Sequence, residues 1–256
     1  MSHFRNKSVR AIFPGTGGSG STRILSMLDY DIIKNNPKIF IGFSDITALH
    51  IAFNQLADLI TFHTPNPMYG LGSKKGLEPI SELYFWSLIM NSNEYSYEIP
   101  FDLFGDSLKV QTLVAGTASG KLVGGNLSLI CATMGSPYEI QTAGSILFIE
   151  DVGEAPYRID RYLSELRLAG KFDHVSGIII GRFTRRDEEP EDRSTDFKME
   201  EIFRQYFSDI IVPVVYYFPA GHVSTNLSLP MGCVVEINTI KGTFKTLESP
   251  ISNRDN

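Results

Sequence analysis

The chain has 256 residues, 43% of them hydrophobic and 20% charged, with a formal net charge of −6. This is ordinary globular usage, enough for one large domain or two modest ones, and it excludes two classes: there is no Lys/Arg-rich cluster with interleaved aromatics for a nucleic-acid groove, and no apolar run long enough to span a membrane. The first ten residues lack the apolar stretch of a signal peptide, which points to a cytoplasmic address, and Cys131 and Cys233 stand apart without CxxC spacing, so they read as buried apolar residues rather than as a disulfide or zinc site.

In chain order, Val9 to Phe13 reads as a strand leading into a glycine-rich turn, and Thr22 to Tyr30 and Ile32 to Asn35 carry helical character. Lys38 to Phe43 is the next strand. It stops at Gly42, and helical patterning begins just past Ser44. This is βαβ rhythm, which argues for a parallel sheet covered by helices. Residues 77–90 form an amphipathic helix, and from Asn91 to about Gly120 the pattern turns to short β-type pieces separated by Gly and polar turns, so a domain change belongs there. The expected organisation is α/β: a parallel-sheet nucleophile domain over 1–105, then a second, mixed α/β domain over 106–256. In that second half Ser145 to Asp151 is an apolar strand ending in two carboxylates. Pro156 to Leu168 is helical, Val175 to Gly181 a buried strand, Met199 to Phe207 helical, and Ile211 to Tyr217 a strand running to His222. The mixed-charge run 185–193 reads as solvated surface.

Three strand ends carry chemistry. A serine on a sharp strand-to-helix turn projects its hydroxyl at the sheet edge, with the backbone N–H of the next residue, here Asp45, facing the place where an oxyanion forms. Ser44 fits that description and equally fits a helix N-cap. Glu150 and His222 close two further strands, and in open α/β sheets ligands bind at the carboxyl ends of strands. Together the three supply the nucleophile, a base for its proton and a carboxylate to orient that base. Each also has a plain alternative: Glu150 as a strand-end acid paired with Arg158 or Arg161, His222 as a turn histidine on backbone. His50 and His63 read as core or turn histidines, His63 being the one nearer a pocket. The five histidines show no paired spacing and HExxH is absent, so no metal is expected. Read instead as a dinucleotide fingerprint, Gly15-Thr-Gly17-Gly18-Ser-Gly20 is weak, because nothing upstream forms a complete βα unit with it.

The run Gly17 to Leu25, then Leu28-Asp29-Tyr30, then Asn36 to Thr47, resembles the nucleophile half of the LD-carboxypeptidases, the serine peptidase family that also holds the microcin C immunity peptidases. Gly124-Gly125-Asn126-Leu127, Phe148 to Glu154, Tyr157-Arg158-Ile159-Asp160-Arg161, Gly221-His222 and Leu229-Pro230-Met231-Gly232 follow in family order, and the likeness covers nearly the whole chain. The resemblance implies Ser44 as nucleophile, His222 as general base and Glu150 as the orienting acid, with Glu154 the competing acid. It implies oxyanion donors at the N–H of Asp45 and in the turn around Gly17 and Gly18. The implied activity needs no cofactor: release of terminal D-alanine from a murein tetrapeptide during cell-wall recycling, by a homodimer. Two alternatives stand beside it, a triad acting on peptidyl or aminoacyl adenylates, and a truncated binding protein without catalysis. Arg158 and Arg161 are candidates to grip a substrate carboxylate, since guanidinium binds carboxylate at two points, or else to pair with Glu154, Asp160 or Glu165.

The chain departs from the family pattern at Ser19, at Pro14-Gly15-Thr16 and at His63-Thr64-Pro65, all of which bear on the walls of the substrate pocket. Relatives carry an opening segment on the order of 60 residues, or two βα units, before the glycine turn, where about a dozen residues stand here. The expectation is a sheet without its opening strands, with apolar surface uncovered and a tendency to associate.

Overall fold

The computed structural model describes residues 1–90, 97–103, 105, 109–184 and 197–251. The mixed-charge run 185–193 lies outside them. The first part holds helix α1 (Ser2–Arg5), strand β1 (Ala11–Ile12), α2 (Ser21–Ile24), α3 (Tyr30–Asn35), β2 (Ile39–Gly42), α4 (Thr47–Ala57), β3 (Thr61–His63) and α5 (Pro79–Met90). The helical stretch expected from Thr22 breaks before Tyr30 because Asp29 caps α3, its Oδ1 accepting the N–H of Ile32 at 3.0 Å. Strands β1, β2 and β3 are parallel.

The chain then runs through β4 (Glu98–Pro100), β5 (Gln111–Val114), β6 (Thr117–Asn126), α6 (Leu127–Ala132), β7 (Ile146–Val152), α7 (Pro156–Leu168), β8 (Gly177–Thr184), α8 (Met199–Phe207), β9 (Val214–Tyr216), β10 (Leu229–Met231), β11 (Val234–Asn238) and β12 (Thr243–Thr246). Helices α7 and α8 span the expected residues. Strand β9 is shorter than expected because Pro213 has no N–H to give a ladder; its carbonyl still accepts from Ile178 N–H at 2.9 Å. The second sheet has the order β4-β12-β11-β6-β7-β8-β9-β5, with β6 to β9 parallel and the other pairings antiparallel. Strand β10 leaves this half and pairs antiparallel with β3, giving the first sheet the order β1-β2-β3-β10. The fold is therefore mixed α/β: a four-stranded sheet that carries Ser44, parallel except for β10, and a larger mixed sheet.

One core lies between the sheets: Ile41 and Phe62 from the first, Phe148, Ile179 and Val215 from the second, with Phe85 and Leu88 of α5. A second core lies on the other face of the larger sheet, where Leu147, Ile149, Ile178 and Ile180 pack under α6, α7 and α8. Alternation along β7 thus sends Phe148 toward the first sheet and Leu147 and Ile149 toward the helices, and Glu150 follows Phe148. That parity aims a carboxylate at the sheet that carries Ser44.

Candidate active site

Strand β2 delivers Ser44 in a left-handed conformation, φ 66°. A non-glycine residue there costs roughly 1–2 kcal/mol, and such strain concentrates at functional turns; a simple N-cap has extended backbone instead. A 3-10 turn over Ser44–Ile46 follows and runs into α4. The glycine turn lies directly over the serine: a Cβ at Gly17 would stand 2.8 Å from Ser44 Cβ and 3.1 Å from its Oγ, so no side chain fits there. Gly18, at φ 105°, gives the turn its left-handed step. The N–H of Ser21 donates to the buried Asp45 Oδ2 at 2.8 Å, tying the far end of this turn to the residue after Ser44. Strand β6 is joined to the same corner, the N–H of Asn126 donating to Thr47 Oγ1 at 3.0 Å.

The acid and the histidine meet. His222 Nδ1 and Glu150 Oε2 are 2.7 Å apart, with the Glu150 side chain fully buried and that of His222 partly open. Gly221 permits this, since a Cβ there would stand 2.8 Å from Glu150 Oε2. The His222 ring packs on that of Phe43, the residue before Ser44, with centroids 4.7 Å apart. Glu154 does not reach His222. It pairs with Arg158 at 3.2 Å, the alternative partner its spacing allowed. The Arg158 head is about half exposed, and Arg161 lies over the Tyr157 ring at 5.5 Å.

The other histidines are buried. His50 Nε2–H donates to the Gly42 carbonyl at 2.9 Å, holding the strand end before the serine, and burial pushes its pKa down to about 4. His63 sits edge-on to the rings of Phe43 and Phe148, at 5.8 and 5.0 Å between centroids, and burial drives its pKa well below the ordinary imidazole value, which keeps it neutral. Cys131 and Cys233 are buried thiols, and burial pushes Cys233 up to about 12. Among the described residues no group of three or more His, Cys, Asp or Glu gathers to hold a metal, and no helix is long and apolar enough to cross a membrane.

Two features were not singled out by sequence. Asn126 caps α6 by accepting from Leu129 N–H and donates Nδ2 to Asp151 Oδ1 at 2.9 Å, while Asp151 also accepts from Ser128 and Val152 N–H. Burial, with Glu150 beside it, pushes Asp151 up to about 6. The cap signal, an Asn at a strand end before an apolar run, was present in Gly124-Gly125-Asn126-Leu127. Arg182 and Tyr217 carried no local signal at all; they meet only through the pairing of neighbouring strands.

Residues 1–64 match the LD-carboxypeptidase N-terminal domain and residues 119–237 the LD-carboxypeptidase C-terminal domain. The chain is 36% identical over 241 residues to a probable murein peptide carboxypeptidase of Bacillus subtilis, covering 94% of this chain and 72% of that one. It belongs to the LD-carboxypeptidase family. It is also 31% identical to the microcin C7 self-immunity protein of Escherichia coli, over 91% of this chain and 72% of that one. A solved structure of a microcin C7 self-immunity protein, in complex with aspartyl sulfamoyl adenosine, superposes with a TM-score of 0.85 at 27% identity, covering 98% of this chain and 79% of that one. Membership makes the chain a carboxypeptidase-type serine hydrolase by family.

Proposed function

We propose that this protein releases terminal D-alanine from murein tetrapeptides, cutting the L,D-amide bond with Ser44, His222 and Glu150 as its triad. The observation that carries the reading is the 2.7 Å contact between the buried Glu150 carboxylate and His222 Nδ1, beside a serine held in the left-handed conformation. Glu150 accepts from Nδ1–H, which leaves Nε2 as the basic nitrogen. Nε2 takes the Ser44 proton as Oγ attacks the carbonyl of the penultimate residue. The oxyanion develops toward the N–H of Asp45 and the turn at Gly17 and Gly18, whose close approach suits backbone donors. The C–N bond breaks, imidazolium passes its proton to the departing amine, and water, deprotonated by the same nitrogen, frees the acyl-enzyme. Arg158, paired with Glu154, is kept as a candidate contact for the peptide carboxylate. We propose further that the reaction serves cell-wall recycling in the cytoplasm and that the protein acts as a homodimer.

A second reading keeps the triad and changes the substrate to a peptidyl or aminoacyl adenylate. It is favoured by the similarity to a self-immunity protein solved with a sulfamoyl adenosine ligand. Turnover of a D-alanine-ended murein tetrapeptide, measured beside turnover of an acyl-sulfamoyl adenylate, decides between them. Release of D-alanine with no cleavage of the adenylate supports the first reading and the reverse supports the second. Failure of Ser44 to take up an active-site serine reagent, with neither substrate turned over, points to a binding protein without catalysis.

A further inference from the structure

The triad reading assigns the stabilisation of imidazolium to Glu150, which meets that ring at Nδ1. The ring itself lies against Phe43, with centroids 4.7 Å apart and planes inclined at 51°. That is too close for rim-to-rim contact. The His222 side chain is only 17% exposed, so its protein neighbours decide how well a charge is borne there. An aromatic face carries negative charge density, and a cation within about 6 Å of the ring centroid is attracted to it. Neutral imidazole gains only packing from the same contact.

This difference bears on rate. A general base starts neutral and carries a positive charge once it has taken the serine proton. A contact that strengthens as that charge appears lowers the barrier, whereas one equal in both states does not. The backbone holds the Phe43 ring in place for this. Phe43 is extended, at φ −156° and ψ −174°. The Gly42 carbonyl before it accepts from His50 Nε2–H at 2.9 Å and from Thr64 N–H at 3.1 Å, and its own carbonyl accepts from Ile46 N–H at 3.3 Å. Ser44 and the ring therefore come from consecutive residues of one pinned strand end. His63 meets the same ring edge-on at 5.8 Å. Burial keeps His63 neutral, so it sets no positive charge beside the imidazolium.

We propose that Phe43 stabilises the imidazolium form of His222 through its ring face, as a positioning residue that acts on the chemical step through the histidine. The proposal rests on the triad reading above and holds for either of its two substrates, since both reactions pass through the same imidazolium.

The test replaces Phe43 by mono-, di- and trifluorinated phenylalanine, placed at that position alone in the full chain. Each fluorine withdraws charge density from the ring face and adds almost no volume, so packing is kept while the electrostatic contact is graded. The measurement is the single-turnover rate on whichever substrate wild type cleaves, the murein tetrapeptide or the acyl-sulfamoyl adenylate. Varying the enzyme concentration separates the chemical step from binding. The rate should fall stepwise along the series, by roughly 2- to 30-fold at the trifluorinated ring, the span of a cation over an aromatic face. The half-saturating concentration should stay put. A ring that only fills space gives no such gradient, so a flat rate overturns the assignment. A rate that rises along the series also overturns it, because the positive rim of the ring then faces His222. A loss carried by half-saturation alone makes Phe43 a wall of the substrate pocket and overturns it too. Wild type that cleaves neither substrate, or His222→Ala that works as fast as wild type, overturns the triad reading and the assignment with it. That result is recognisable before any residue is placed at position 43.

Discussion

Replacing Glu150 by Gln removes a charge and almost no volume, so its two effects separate cleanly. With the carboxylate 2.7 Å from His222 Nδ1, the amide loses the acceptor that fixes the tautomer and stabilises imidazolium. Loss of that role in a triad lowers kcat on the order of 10⁴-fold, about 5 kcal/mol of transition-state stabilisation. Stability should move the other way or not at all. Glu150 is fully buried, and its Oε1 finds no hydrogen-bond partner among the described residues. Desolvating a buried carboxylate costs several kcal/mol, against about 1.5–3 kcal/mol from one charge-assisted hydrogen bond. Desolvation is the larger, so the neutral isostere should be as stable as wild type or more so. Tetrapeptide turnover and thermal unfolding, measured on both proteins, check this. Activity within about tenfold of wild type, which is only 1.4 kcal/mol, refutes the role of Glu150. A fall in Tm beyond about 4 °C, or at least 1 kcal/mol in a chain of this size, refutes the desolvation argument. Glu154→Gln, which removes only a half-exposed i,i+4 ion pair, should cost less than about 0.5 kcal/mol and little activity; the reverse ranking makes Glu154 the acid.

Ser44→Ala and His222→Ala should each abolish turnover, and the double variant should be hardly worse than either, because residues acting as a unit are non-additive; additive losses in kcat argue against the couple. Gly17→Ala puts a methyl 3.1 Å from Ser44 Oγ and 3.2 Å from the Phe43 carbonyl, and since a 1 Å misplacement costs about 10²-fold, turnover should fall by that order, while Gly15→Ala, with nothing within 4 Å, should match wild type. Asp151, raised from 3.8 to about 6 in the folded protein, binds its proton more tightly folded than unfolded. Its stabilising contribution is therefore full below pH 4 and lost as pH rises through 6, at most about 3 kcal/mol. Chemical denaturation of wild type and Asp151→Asn across that window should show the gap between them shifting in favour of the variant as pH rises, and a constant gap rejects the shift.

The sequence was most legible where local chemistry and tertiary packing agree. Helix α7 starts at the proline of Ala155-Pro156, suited to the first helical position, and α8 starts where Glu201 accepts the N–H of Lys198 at 2.8 Å; both boundaries could be read by eye. The elbow was legible too, because a strand stopping at Gly42 just before a polar helix start is a short-range pattern. Pairing between distant segments was not. Strand β10 has Pro230 at its centre and carries no strand pattern of its own, yet it closes the first sheet against β3, a position where a proline is tolerated because the strand lies at the sheet edge. Arg182 and Tyr217 escaped for the same reason: β8 and β9 are joined through a long connection, and only their parallel register sets the guanidinium over the ring.

Two adjacent carboxylates on β7 show how much of the site is decided by parity. Phe148 faces the core between the sheets and Ile149 the core under the helices, so Glu150 emerges on the side of Phe43 and His222 while Asp151 emerges at the start of α6. The same chemical group then does opposite work. Glu150 accepts from an imidazole. Asp151 accepts three donors, from Asn126, Ser128 and Val152, which position the end of β6, and with it the contact between Asn126 and Thr47 behind Ser44. A slip of one residue in β7 would exchange them, putting the shorter side chain toward His222 and the longer one under the helix. Apolar residues on both faces of the strand forbid that slip, since Phe148 and Leu147 fill different cores. The carboxylate reaches the histidine because the hydrophobic pattern of the strand before it leaves no other register.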